Sequence, residues 1–245
     1  MQAGTTPDTT QNDTPDAPAA PSSRAKVRRA ADRAHYDEAT VHAIVDEAWL
    51  CHVAFACPDV LCLPTTCWRI DDMLYIHGSN GSRMMKHLAS GAPACVTITH
   101  LDGLVMARSA FSHSMNYRSV VVHGAFEVVA DEDKPAVLHA LMAHITPGRE
   151  HDCRVPDANE LKATTVLGIP LHESAAKIRN WGPRDGEEDM NLPHWAGVLP
   201  LMTQRLPAVT HPDSKSPEPG YIAAWLGPAP APTMICSAPH ITANR

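Results

Sequence analysis

The stretch 77-HGSNGSRMMKHL-88 holds the densest collection of groups able to grip a ligand. Gly78 and Gly81 allow close backbone approach, Ser79 and Ser82 offer hydroxyls, and Arg83 and Lys86 offer positive charge. The stretch leaves a β-rich run and enters a helical one. Unpaired N–H groups and the positive end of the helix favour an anion there, and an arginine adds a bidentate, charge-assisted contact. That is the chemistry of a phosphate cradle. A glycine-serine turn between strand and helix also forms for backbone reasons alone, so spacing leaves both readings open.

A second cluster opens the apolar run 117-YRSVVVHGAFEVV-129, where Arg118 and Ser119 would complete the neutralisation of a dianion if the fold brings them beside Arg83. Taken alone, Arg118 reads as the surface residue of a strand end. Two further segments could reach a flat ring: Pro64-Thr65-Thr66 through backbone groups, and Trp195 by stacking, although Trp195 reads equally as a core anchor. His52, His100, His113 and His123 have no metal-ligand spacing, and the seven cysteines form no CxxC pair. No metal is expected. The cysteines within apolar runs read as small hydrophobes.

The elements that must position these residues follow from periodicity. Residues 37–48 place Val41, Ile44, Val45 and Ala48 on one helical face. The runs 50-LCHVAFA-56, 61-LCLPTTCW-68 and 73-MLYIH-77 predict an antiparallel meander, with Pro64 at an edge or bulge. Residues 82–90 predict a short helix closed by Gly91 and Pro93. Strands at 94–100 and 104–109 are expected to form a hairpin across Asp102-Gly103, and a longer strand should run from 117 to 129. Asp131 can cap a second helix that stops at Pro147-Gly148, and 163–178 reads as a final strand broken by Pro170. Beyond Trp181 the chain reads as irregular. About six strands with hairpin connections and no βαβ alternation imply a mainly β fold, an antiparallel barrel with peripheral helices. No GxGxxG or Walker motif is present.

Residues 1–33 read as a disordered leader, 34–226 as the folded domain and 227–245 as a disordered tail. The formal net charge of -7 speaks against a nucleic-acid partner, because phosphate backbones are gripped by surplus Lys and Arg. No run approaches the roughly 20 apolar residues that cross a bilayer, and the N-terminus lacks the order of a signal peptide. A cytoplasmic protein with no membrane partner is the expectation.

The ordered series 36-YD-37, 63-LPT-65, 75-YIHGSNGSR-83, 103-GLVMARSAFSHSMNYRSVVVHG-124, 174-SAAKIR-179 and 195-WAGVLPL-201 resembles the FMN-binding split-barrel superfamily. The resemblance is to the branch of pyridoxamine 5'-phosphate oxidase-related flavoproteins and nitroimidazole-resistance proteins, over approximately residues 33 to 225. It implies a six-stranded Greek-key split β-barrel, a homodimer, and FMN in clefts at the subunit interface. By motif, His77, Gly78, Ser79, Ser82, Arg83 and Lys86 would hold the phosphate and ribityl end, completed by Arg118 and Ser119. Pro64 and Thr65 would lie along the ring edge, and Lys177, Arg179 and Trp195 would come from the partner subunit. Met84 stands where the vitamin oxidases carry Lys, and 204-QRLP-207 lacks the first Arg of their closing signature, so vitamin B6 oxidation is not expected. The implied activity is a flavin-dependent oxidoreductase fed by a donor such as NAD(P)H, with no catalytic residue assigned. The alternatives are an FMN store or sensor without turnover and a haem-binding split barrel.

Overall fold

The computed structural model describes residues 18–227. Helix α1 (Glu38–Asp46) begins where the Asp37 side chain accepts a hydrogen bond from the Thr40 N–H, and it buries Val41, Ile44 and Val45. That is the face its periodicity predicts. Strands β2 (Leu50–Ala56), β3 (Val60–Ile70) and β4 (Met73–Ser79) form the expected meander, followed by α2 (Arg83–Leu88), whose exit turn uses Gly91 at φ 77°.

Ten antiparallel strands form one sheet, in place of the six expected. With β1 (Ala34–His35), β5 (Pro93–Met106), β6 (Ser114–Ala125), β7 (Glu127–Val128), β8 (Thr164–Pro170) and β9 (Ser174–Arg179), the order is β1-β9-β6-β5-β2-β3-β4-β8-β7. The tenth, β10 (Gly197–Pro200), joins the edge of β5 beyond the end of β2. The sheet curls without closing into a hydrogen-bonded ring. A Cβ built on Gly124 of β6 would lie 3.4 Å from the side chain of Ile169 on β8, so the two halves meet face to face.

Two expectations give way here. Asp102-Gly103 does not turn a hairpin: β5 runs straight through it, with only a register shift between Leu101 and Gly103. The ladder to β6 on one edge and the β10 pairing on the other outweigh a local turn preference, and Asp102 is absorbed into a bulge. The last expected strand is two strands: β8 pairs with β4, whereas β9 pairs with β6 at the other end of the sheet. Pro170 ends β8, because it has no N–H to continue a ladder.

Helices α3 (Lys134–Ile145) and α4 (Ala158–Ala163) lie between β7 and β8 in sequence. Inside the curl, Val53, Val96, Val120, Ile76, Leu167 and Ile169 pack with α1 and with Met85 and Leu88 of α2. On the outer face, α3 packs Val137 and Leu141 onto Trp68 and Val166, and the indole N–H of Trp68 donates to the Val137 carbonyl at 3.1 Å. Residues 22–33, expected to belong to a disordered leader, lie against the sheet, where Ala25 is buried and Arg24 and Ser22 bond Glu173, and β1, at the expected start of the domain, pairs with β9. The ends of the expected leader and tail, 1–17 and 228–245, lie outside the described residues.

Ile169 is fully buried where the two halves of the curl meet. Ile169→Ala is expected to lower the unfolding free energy by about 2–5 kcal/mol, read as a shift of the urea midpoint at unchanged slope.

Candidate functional site

The barrel splits between β3 and β4. Their ladder runs only from Ile70↔Met73 to Cys67↔Ile76. Beyond that point β3 continues with β2 alone, through Thr66, Thr65 and Pro64 to Val60, while β4 continues with β8 alone, through His77, Gly78 and Ser79. Pro64 and Thr65 therefore border one side of an opening whose other side is 77–79. A proline fits a strand with one unpaired edge, as its sequence position suggested.

Past Ser79 the chain makes a tight turn into α2. The Ser79 hydroxyl accepts from the Gly81 N–H at 3.2 Å, and the Ser82 hydroxyl caps Met85 at 3.5 Å. A Cβ on Gly78 would stand 3.0 Å from Met85 Cγ, so the helix seats against the strand only over glycine. Arg83 and Lys86 are exposed, with no ion-pair partner among the described residues, and they line an open cleft of about 460 Å³ with Gly81, His87, Ser90 and Cys57. Two unpaired cations beside an opened sheet suit a phosphate-bearing ligand.

His77 leaves this group. Alternation along β4 puts Leu74 and Ile76 inside the curl and turns Tyr75 and His77 outward, under α3. There His77 packs edge-on to Trp68, ring centroids 5.7 Å apart, and lines a cavity of about 600 Å³. The cavity wall is mainly apolar, with Leu138, Leu141, Met142, Val155 and Leu161. The His77 Nδ1 is buried with no hydrogen-bond partner, and burial pushes the imidazole below its usual pKa. Sequence reading missed this cavity, because part of its wall, from Glu150 to Pro156, comes from a segment without periodicity. The signal available was the outward-facing row Trp68, Tyr75 and His77 on two paired strands.

The remaining candidates are dispersed. Arg118 is clamped by Asp102 and Glu47, with Nε to Asp102 Oδ2 at 3.0 Å, and both acids raise its pKa. It borders a cleft with Asn116, Asn180 and Val198, separate from the cleft of Arg83 in the single chain. Ser119 donates to the Lys177 carbonyl at 3.4 Å, and Lys177 donates to the Arg29 carbonyl at 2.8 Å. Arg179 is buried, bonding Asn116 and the carbonyls of Trp181 and Gly182. Trp195 is 65% exposed and so is no core anchor. Among the described residues no His, Cys, Asp and Glu cluster could hold a bare metal ion, and no helix is long and apolar enough to cross a membrane. Cys51 and Cys67 are buried and serve as packing, and the neighbouring Cys67 together with burial pushes the Cys51 thiol up, whereas Cys62 is exposed and does not pack as expected.

Known proteins place this geometry. The family model described as pyridoxamine 5'-phosphate oxidase matches residues 37–178, from the cap of α1 to the end of β9. The chain belongs to that family. Within the family's reach, the flavocytochrome Anf3 from Azotobacter vinelandii is 38% identical, with a TM-score of 0.81 over 85% of this chain and 99% of that one. An FAD and haem binding protein from Mycobacterium smegmatis is 36% identical, with a TM-score of 0.77 over 80% and 98%. A putative 5-nitroimidazole antibiotic resistance protein from Bacteroides thetaiotaomicron shares the fold at 20% identity and a TM-score of 0.50, over 59% and 86%. No curated protein matches.

The depressed basicity of His77 fixes the sign of a pH effect. Its folded pKa lies below 6.5, so between that value and 6.5 the unfolded chain binds the extra proton, and stability falls as pH falls through this window. His77→Gln is expected to show a shallower loss of stability below pH 6.5 in chemical denaturation. A residual slope should remain, because burial lowers His123 as well.

Proposed function

We propose that this protein is a flavin- and haem-binding electron-transfer protein of the pyridoxamine 5'-phosphate oxidase family, working as a cytoplasmic homodimer. The observation that carries the reading is the position of His77: an imidazole of lowered basicity, its buried Nδ1 unpartnered, in an apolar cavity that shares no lining residue with the Arg83–Lys86 cleft. Two relatives above 35% identity, matched over nearly their whole length, are described as a flavocytochrome and as an FAD and haem binding protein. This extends the expectation of a simple FMN oxidoreductase and adopts the haem alternative alongside it. A flavin of either kind, FMN or FAD, suits the cleft.

The residues present fit both groups. Arg83 and Lys86 would hold phosphate oxygens, the open edges at Pro64–Thr65 and at Gly78–Ser79 would lie along the flat ring, and Gly81 admits close approach. His77 would supply the nitrogen that iron needs, and Leu138, Leu141, Met142 and Val155 would exclude water from a porphyrin. When bound, a flavin would supply hydride acceptance from a donor such as NAD(P)H, and a haem would supply single-electron exchange. The chain's own part is to bind, orient and keep dry. Neutrality of His77 matters to that role, since only the unprotonated imidazole ligates.

A second copy is the partner we assign to the exposed apolar residues Leu101, Leu104, Met115, Trp195, Leu199 and Leu201, which lie on or beside the outer end of β5. Large exposed apolar patches of this kind mark interaction surfaces. Trp195 and Lys177 then act across the interface, as the family resemblance implies.

The purified protein should show a flavin spectrum together with a Soret band. His77→Ala should remove the Soret band and keep the flavin. Arg83→Ala with Lys86→Ala should reduce retained flavin by about tenfold or more, since a charge-assisted hydrogen bond is worth about 1.5–3 kcal/mol, and should keep the Soret band. Absence of both chromophores, or the reverse pattern of losses, would end the reading.

A further inference from the structure

At the outer end of β9, three arginines converge on one indole. The guanidinium carbons of Arg33, Arg179 and Arg184 lie 5.2, 5.2 and 4.6 Å from the ring centroid of Trp181. They come from three segments: the turn before β1, the last residue of β9, and the loop that follows it. Among the described residues none of the three has an ion-pair partner, whereas Arg24, Arg69, Arg108, Arg118, Arg149 and Arg154 all do. The partners of Arg179 are Asn116 and the carbonyls of Trp181 and Gly182, which satisfy donors without supplying negative charge.

Three donors in this cluster are left over. The Nε of Arg33, the Nε of Arg179 and the indole Nε1 of Trp181 are buried with no hydrogen-bond partner. Arg179 is 3% exposed and Trp181 is 8% exposed. A buried N–H without an acceptor loses its hydration without return, and native proteins carry few such groups without a reason. One indole offsets part of the repulsion through its π face. Burial and the neighbouring Arg33 and Arg184 lower Arg179 to about 10, still cationic at neutral pH. Three adjacent positive charges with three idle donors ask for one acceptor-rich anion.

We propose that Arg33, Arg179, Arg184 and Trp181 form a binding site for a phosphate-type oxyanion. Arginine matches phosphate through paired N–H groups, and the exposed Arg184 side chain is the one that can move to admit the anion. Within one chain the site shares no residue with the Arg83–Lys86 cleft, and only its cofactor arm rests on the flavin reading. The phosphate is either free, including that of a phosphorylated substrate, or part of a bound cofactor.

The test follows the five indole N–H resonances of the protein as purified during a pyrophosphate titration, with chloride at matched ionic strength as control. Trp181→Phe assigns the Trp181 signal. Saturable movement of that signal with pyrophosphate and not chloride is expected, while Trp68, bonded to the Val137 carbonyl, stays still. Arg184→Gln and Arg33→Gln should each weaken the binding at least tenfold; neither residue is buried, so both variants should fold, whereas Arg179 is buried and is left in place. Loss of retained flavin in Arg184→Gln would assign the phosphate to the cofactor. Retained flavin with weakened pyrophosphate binding would assign it to a free or substrate phosphate. A Trp181 signal indifferent to pyrophosphate, with flavin retained in Arg184→Gln, overturns the proposal, as does unchanged affinity in both variants. A signal that moves with protein concentration instead of anion also overturns it, because a carboxylate from a second copy would then fill the cluster.

Discussion

The arrangement of the molecule depends on where one backbone ladder stops. β4 is hydrogen-bonded to β3 only as far as Ile76, yet it stays bonded to β8 through Ser79. The first fact opens the sheet between Pro64–Thr65 and residues 77–79, and the second keeps the opened strand rigid. Because successive side chains on a strand face opposite ways, the same short segment serves two places: Ile76 fills the core and His77 reaches the cavity under α3. A slip of one residue against β8 would bury the imidazole in the core and turn Ile76 toward that cavity. The ladder from Met73↔Pro170 to Ser79↔Thr164 holds against that slip.

The same pleat explains what could be read from the sequence and what could not. The meander, α1 and α2 were legible, since their apolar spacing and caps are local signals. Adjacency of His77 to Gly78 and Ser79 suggested one shared site, but alternation separates neighbours that a motif joins. Asp102-Gly103 failed as a hairpin for a different reason: partners distant in the chain, β6 and β10, supply more hydrogen bonds than a turn could. β10 itself sits in a segment without periodicity, and it forms a strand because the free edge of β5 offers a ladder there. A Cβ on Gly103 would meet the Leu199 carbonyl at 3.0 Å, so this glycine serves strand approach and not a turn.

Charge shows a similar divide. Composition locates cations but not their compensation, and compensation decides which of them can take a ligand. Arg118 was expected to join Arg83 on one anion, yet Glu47 at the end of α1 and Asp102 on the neighbouring strand β5 already satisfy it. Arg24 is likewise taken by Glu173, which ties the N-terminal segment to the turn before β9. Arg83 and Lys86 stay unpaired beside the split, and Arg33, Arg179 and Arg184 stay unpaired around Trp181. A chain with a formal net charge of -7 has carboxylates to spare, so their absence at these two places is a local property of the fold.

Such unmet groups tie stability to occupancy. The idle Nδ1 of His77 and the idle N–H donors around Trp181 each carry a desolvation cost in the empty protein, about 1–3 kcal/mol per group. Folding as a whole leaves a margin of only about 5–15 kcal/mol, so these costs are a sizeable fraction of it. Any ligand that satisfies them binds the native chain and not the unfolded one, and it raises stability with the logarithm of its free concentration. The long, fully paired β5–β6 ladder and the buried core from Val53 to Ile169 can sustain the sites while empty. A ligand that pairs with these groups would supply partners that the described residues do not.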